Sequence, residues 1–134
     1  MDILQADTRP VKKANPDRVT GEMWDDPIAS AAAPANGRVV REVFKSGART
    51  AWHSHPLGQT LYVLSGAGFI GRRQPPPHAV KSGDSVWIEA DEEHWHGAAP
   101  NAEMEYIAFH AAAKGYVSVW MEYVSEEDYP ATTG

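Results

Sequence analysis

From Arg38 to Ala111 the chain reads as short apolar runs cut at close intervals by turn residues, with no stretch of useful length on a helical period. The runs are Arg38 to Phe44, Arg49 to His55, Gln59 to Leu64, Phe69 to Arg72, Ser85 to Glu89, His94 to Ala98 and Met104 to Ala111. Turns are predicted at Lys45-Ser46-Gly47, Pro56-Leu57-Gly58, Ser65-Gly66-Ala67-Gly68 and Lys81-Ser82-Gly83-Asp84. Short strands at this spacing point to an antiparallel sandwich or barrel, an all-β fold. Upstream, Val19 to Trp24 is predicted as an edge strand ending at an Asp25-Asp26-Pro27 turn, and Ala31 to Gly37 as a loop. Pro75-Pro76-Pro77 reads as a rigid connector, with His78 beside it on the surface. A short C-terminal helix is expected over Ser125 to Tyr129, with Ser125 as its N-cap. The 134 residues fit one domain, 20–134. Residues 1–19 form an N-terminal arm, lying over the surface or pairing with a neighbouring subunit.

Charge and residue usage narrow the function classes. A net charge of −6 argues against a nucleic-acid partner. Lys12-Lys13 and Arg72-Arg73 are isolated pairs that read as solvated loop charge. No apolar stretch approaches the roughly 20 residues needed to cross a bilayer. The opening residues, Met1 to Asp7, lack the basic start and apolar core of a signal peptide, so a cytoplasmic location is expected. There is no cysteine, so any metal must be held by nitrogen and oxygen donors.

His53 and His55 stand two apart on a predicted strand and so leave the same face. Two such imidazoles can grip one metal. The Pro56-Leu57-Gly58 turn brings Gln59 back to the same place, and His94 can complete the set from a separate strand. An isolated H-x-H is also what an exposed polar stripe looks like. The surroundings are more specific. From Gly47 the chain runs G-x5-H-x-H-x3-Q-x6-G, ending at Gly66, and from Gly83 it runs G-x5-E-x-D-x2-H, ending at His94.

These blocks resemble the paired motifs of the cupin superfamily, which implies a double-stranded β-helix, or jelly-roll barrel. Gln59 occupies the slot where a Glu is usual; Glu89, Asp91 and Ala98 replace the usual Pro, Gly and Asn. A neutral amide leaves more net positive charge on a bound cation. The likeness narrows over Gly47 to Thr60, His94 to Pro100 and Trp120-Met121-Glu122, which are similar to the small bacterial cupins of the hydroxynitrile lyase type. It covers about Thr20 to Tyr129. The resemblance implies one divalent transition metal at His53, His55, Gln59 and His94. Manganese is typical, and the donors also suit iron, nickel, zinc or copper. It implies reversible joining of hydrogen cyanide to an aldehyde, a small-molecule substrate.

In the lyases of this type, a His proposed as general base stands where this chain has Tyr106. Tyrosine ionises at about 10, which makes it a poor base, though it can donate to an oxyanion. Tyr106 shares a predicted face with Met104, Ala108 and His110. His110 is therefore a candidate base, or else a satisfied core histidine. Glu42, on a face with Val40 and Phe44, is another candidate, or else a surface residue paired with an Arg. His96 leaves the same face as His94 and is read as a hydrogen-bonding support for the site. Val40, Leu61, Val63 and Ala108 are expected to line an apolar pocket. Trp52 and Trp95 face away from the ligands, as packing. Two other functions stand beside the lyase: an oxidative cupin activating O2, and a non-catalytic cupin that binds a metal or small ligand. A homodimer is expected, since cupins commonly pair through N-terminal strands.

Overall fold

The computed structural model describes residues 1–113 and 116–130. Among them the strands are β1 (Lys12–Lys13), β2 (Val19–Thr20), β3 (Met23–Ser30), β4 (Gly37–Phe44), β5 (Arg49–Thr50) and β6 (His53–Ser54), then β7 (Gln59–Arg72), β8 (His78–Lys81), β9 (Ser85–Ile88), β10 (His94–Ala98), β11 (Met104–Ala111) and β12 (Val119–Trp120). All pair antiparallel in one curled sheet, with the path β1-β3-β4-β11-β7-β10-β5-β2. The fold is all-β; among the described residues the one helical element is a 3-10 turn at Ala6–Thr8.

Alternation decides which way each strand faces. On β11, Met104, Tyr106 and Ala108 are buried, as are Gln59, Leu61 and Val63 on β7. Directly opposed residues share a face. Tyr106 therefore joins Glu42 and Val63, Ala108 joins Val40 and Leu61, and His110 joins Arg38 and Gln59. This inward ladder runs from the fully buried Phe44 and Met104 to the exposed Arg38.

Three predicted features are corrected. The Ser65-Gly66-Ala67-Gly68 turn does not form; β7 runs through it. The first half of β7 pairs with β9 and β11, the second with β8 and β10, so the segment is a corner between two walls. Gly66 makes that corner: its φ is 80°, and a Cβ would overlap the Glu103 carbonyl oxygen. Nor does the chain turn at Asp25-Asp26-Pro27, which lies inside β3. Arg9 holds the buried Asp26 carboxylate with two bonds of 2.9 and 3.1 Å, and a register shift between Pro27 and Ala29 accommodates the proline. Finally, Ser125 to Tyr129 is a single capped turn rather than a helix. Ser125 Oγ accepts the Asp128 N–H at 3.1 Å, as a cap should, but Pro130 follows at once.

The arm is docked. β1 pairs with β3 through Lys12 and Lys13, and β2 pairs with β5. His78 is exposed as expected, although it begins β8. The run from Arg49 to His55 breaks at Ala51-Trp52, where the Trp52 N–H donates to the Glu122 carbonyl at 2.9 Å. Trp52 and Trp95 pack outside the ladder with Val124 and Tyr129. The Tyr129 hydroxyl donates to the Ala98 carbonyl at 2.6 Å, pinning the C-terminal tail across β10.

The corner gives a stability test. Gly66→Ala should lower unfolding free energy by about 1–3 kcal/mol in urea titrations, because an L side chain is strained at this φ and also meets backbone. An unchanged midpoint would show that β7 turns its corner elsewhere.

Candidate metal centre

His53 on β6 lies directly opposite His94 on β10, and their rings approach to 4.2 Å between centroids. His55 is 5.0 Å from His53 and 5.4 Å from His94. His96, two residues past His94, is 5.0 Å from His53. After His55 the chain turns at Gly58, where φ is 79° and the N–H donates back to the His55 carbonyl at 3.2 Å. Gln59 thus returns beside the histidines. These five side chains are all buried, none more than 3% exposed.

Their hydrogen bonds fix their chemistry. Nδ1 of His53, His55 and His94 donates to the carbonyls of Ala51, Val117 and Glu92, at 2.9, 2.8 and 2.8 Å. Each Nε2 is then left with a lone pair. Nε2 of His55, His94 and His96 and Oε1 of Gln59 are buried with no partner. An unpaired buried polar group costs about 1–3 kcal/mol, so several in one place are a group of donors suited to a cation. Ligand nitrogens of His53, His94 and His96 lie within 4.8 Å of one another, and this cluster fits a single divalent metal. Burial, followed by the neighbouring imidazoles, depresses the histidines: His94 to about 4, His53 and His96 well below their ordinary value. All are neutral at pH 7, as ligands must be.

Glu42 is buried, not a surface partner of an Arg. Its Oε2 accepts the Tyr106 hydroxyl at 3.1 Å, and that hydroxyl also bonds His96 Nδ1 at 2.5 Å. Desolvation, then Asp25, pushes Glu42 up to about 8. Tyr106 is raised well above its ordinary value, chiefly by burial. The expectation that Tyr106 could donate to an oxyanion is corrected: its hydroxyl is occupied by Glu42 and His96, and it does not line the cavity. Leu61, Val63 and Ala108 are likewise core residues, not pocket walls. They face inward as their parity required, and all three are buried in the core cluster. Val40 does line the cavity. So does His110, half-buried and stacked on His55 at 5.1 Å. Its Nδ1 accepts the Gln59 amide at 3.4 Å, which turns Gln59 Oε1 away from it. Burial, then His55 and Arg38, lower His110 to about 4.

The cavity is about 680 Å³, walled by His53, His55, Gln59, His96 and His110 on one side and by the N-terminal arm on the other. Trp120, stacked on His53 at 4.6 Å, is a lining residue that sequence reasoning used only as a motif. The arm's part in the wall carried no local signal at all.

Fold and site together define a β-barrel with a buried histidine cluster that fits a single divalent metal. Residues 40–110 match the model of the cupin domain, and the chain belongs to the cupin family. It is 40% identical over 129 residues to an (R)-mandelonitrile lyase of Granulicella tundricola, covering 96% of this chain and 98% of that protein. A crystal structure of a cupin-like protein from Thermotoga maritima superposes with a TM-score of 0.84 at 37% identity, covering 96% of this chain and 95% of the other. The polyketide cyclase RemF of Streptomyces resistomycificus shares the fold, with a TM-score of 0.71 at 16% identity over 96% of this chain and 90% of its own. Among the described residues, no helix is long and apolar enough to cross a membrane.

The buried groups predict a two-limbed pH profile for the metal-free protein. His94 and His110 are depressed to about 4 when folded, so between there and the unfolded value near 6.5 the unfolded chain binds more protons. Stability should therefore fall as pH drops through that window. Glu42 acts in the opposite sense: raised from 4.5 to about 8, it holds its proton when folded. Its contribution is full below 4.5 and is lost as pH rises to 8. Urea midpoints across pH should show both limbs, and Glu42→Gln should abolish the alkaline one. An unchanged alkaline limb in that variant would place the titration elsewhere.

Proposed function

We propose that the protein is a metal-dependent lyase that cleaves and forms cyanohydrins of small aldehydes, with the metal held by His53, His55, Gln59 and His94. The observation that carries this reading is the buried set of bare Nε2 and Oε1 atoms on His55, Gln59, His94 and His96, three of which (all but His94) belong to residues that line the cavity. Identity to a protein named (R)-mandelonitrile lyase favours this chemistry over others. His96 stands near enough to join the donors, but its Nδ1 is bonded to a phenol rather than to a backbone carbonyl, so its tautomer is not locked. We read it as a support of the site.

A divalent ion bound there supplies Lewis acidity toward a carbonyl or hydroxyl oxygen. The chain supplies the rest. His110 is neutral across physiological pH and borders the cavity; it acts as the base when the substrate's hydroxyl takes the place of the Gln59 amide at Nδ1, accepting that proton and returning it to the departing cyanide. Tyr106 acts as a positioning residue, tying Glu42 to His96. Glu42 lines the cavity from the next strand and holds a proton near neutrality that it can share with Tyr106. The favoured ion is manganese, by the family likeness.

Metal-loaded protein should release benzaldehyde from racemic mandelonitrile well above a metal-free control; no release would reject the lyase reading. Changing His53, His55 or His94 to Ala should cut retained metal at least tenfold. His110→Ala should reduce turnover with metal content unchanged, an outcome a passive binder could not give. Turnover that required oxygen would instead favour an oxidative cupin.

The expected homodimer is kept as part of the same proposal. Trp87, Thr60 and Phe109 lie in one row across β9, β7 and β11, and both aromatics are exposed, at 57% and 45%. A second copy would cover them. Sedimentation equilibrium should give twice the chain mass, and a monomer at micromolar concentration would count against it.

A further inference from the structure

The cavity in front of the histidines differs in charge from the chain that builds it. The sequence carries 12 Lys and Arg against 18 Asp and Glu. Its lining, however, holds Arg9, Lys12, Lys13, Arg18 and Arg38 against only Asp25 and Glu42. Arg9 is committed to Asp26. The other four cations make no ion pair among the described residues. Asp25 is close enough for its carboxyl to feel Arg18, yet forms no ion pair with it. An acidic protein has thus gathered free positive charge around one opening, an arrangement that attracts anions and discriminates among ligands by charge.

The two arginines are placed to do more than attract. Arg38 lies opposite His110, which lies opposite Gln59, so Arg38 sits two strands along the same inward row. Neighbouring strands are about 4.8 Å apart, which puts the Arg38 and Gln59 backbones roughly 10 Å from each other. A small aromatic or aliphatic acid spans such a gap. Arg18 arrives from the arm, its guanidinium carbon 5.2 Å from the centre of the Trp120 ring that stacks on His53. Stacking occupies the face of a guanidinium and leaves its N–H edges free for a carboxylate.

We infer that the substrate carries a carboxylate remote from its reacting carbon, held by Arg38 and Arg18 while the aldehyde or cyanohydrin end lies against the histidines. The inference rests on the proposed reading of this cavity as the substrate site and adds the class of molecule it selects.

The test uses the metal-loaded full chain and two near-isosteric probes, 4-carboxybenzaldehyde and its neutral 4-carbamoyl analogue, compared by titration calorimetry without cyanide. Wild-type protein should bind the carboxylate about tenfold tighter at low salt, the scale of one charge-assisted hydrogen bond. In the Arg18→Gln/Arg38→Gln double variant the preference should shrink to about threefold or less, and Arg38→Lys should keep part of it. Both side chains are exposed, so these changes leave the core intact. Equal binding of the two probes by wild-type protein overturns the inference. So does a preference that survives the double variant, which would put the carboxylate elsewhere, or failure of both probes to bind. Because no cyanohydrin is cleaved in this experiment, its result is separate from that of the mandelonitrile assay: a charge preference can stand without lyase activity, and lyase activity without a preference.

Discussion

Buried imidazoles with uncommitted lone pairs are the constraint around which this barrel is arranged. His53, His55 and His94 each spend Nδ1 on a backbone carbonyl, and for His55 and His94 Nε2 is buried with no hydrogen-bond partner. Gln59 Oε1 adds an amide oxygen in the same condition. A chain does not gain stability by burying such groups together. The arrangement makes physical sense as a receptor for a cation, to which the sheet contributes orientation and exclusion of water. The absence of a carboxylate from this donor set leaves a bound ion with more of its positive charge, which suits polarising a neutral oxygen.

The rest of the fold explains how that set is held. β6 and β10 bring His53 and His94 face to face, while the Gly58 turn returns Gln59 to the start of β7. β7 then spans both walls by way of the corner at Gly66, so the strand that carries Gln59 also pairs with the strand that carries His94. On the far side Glu42, Tyr106 and His96 form a buried hydrogen-bonded chain that stiffens the group from beneath. The arm closes the cavity from above, and the basic residues it brings there, with Arg38, give the opening its charge.

How much of this was legible depended on how local the signal was. His53 and His55 share a face by strand parity, and Gln59 follows a short turn, so their convergence could be read along the chain. Parity also placed Tyr106, Glu42 and His110 on inward faces. It could not say which would reach the cavity, because that depends on what lies above each residue: Tyr106, Leu61, Val63 and Ala108 are covered, whereas His110 and Val40 are not. Gly66 misled for a physical reason, since a positive φ serves a turn and a strand corner equally well. Asp25-Asp26-Pro27 misled because its neutralising partner, Arg9, comes from a distant part of the chain. The cap at Ser125 was real but had only one turn to cap before Pro130. The basic opening was not visible at all, being assembled from the arm and the far end of β4.

X-ray absorption at the edge of the bound metal tests the central claim most directly, because imidazole rings leave a multiple-scattering signature that can be counted. The account predicts three imidazoles at about 2.1 Å, the remaining scatterers being light oxygen or nitrogen atoms, and loss of one ring's signal when His55 is changed to Ala. A spectrum with one imidazole or none would mean that the ion is held elsewhere on the protein. The buried histidines would then need a different explanation.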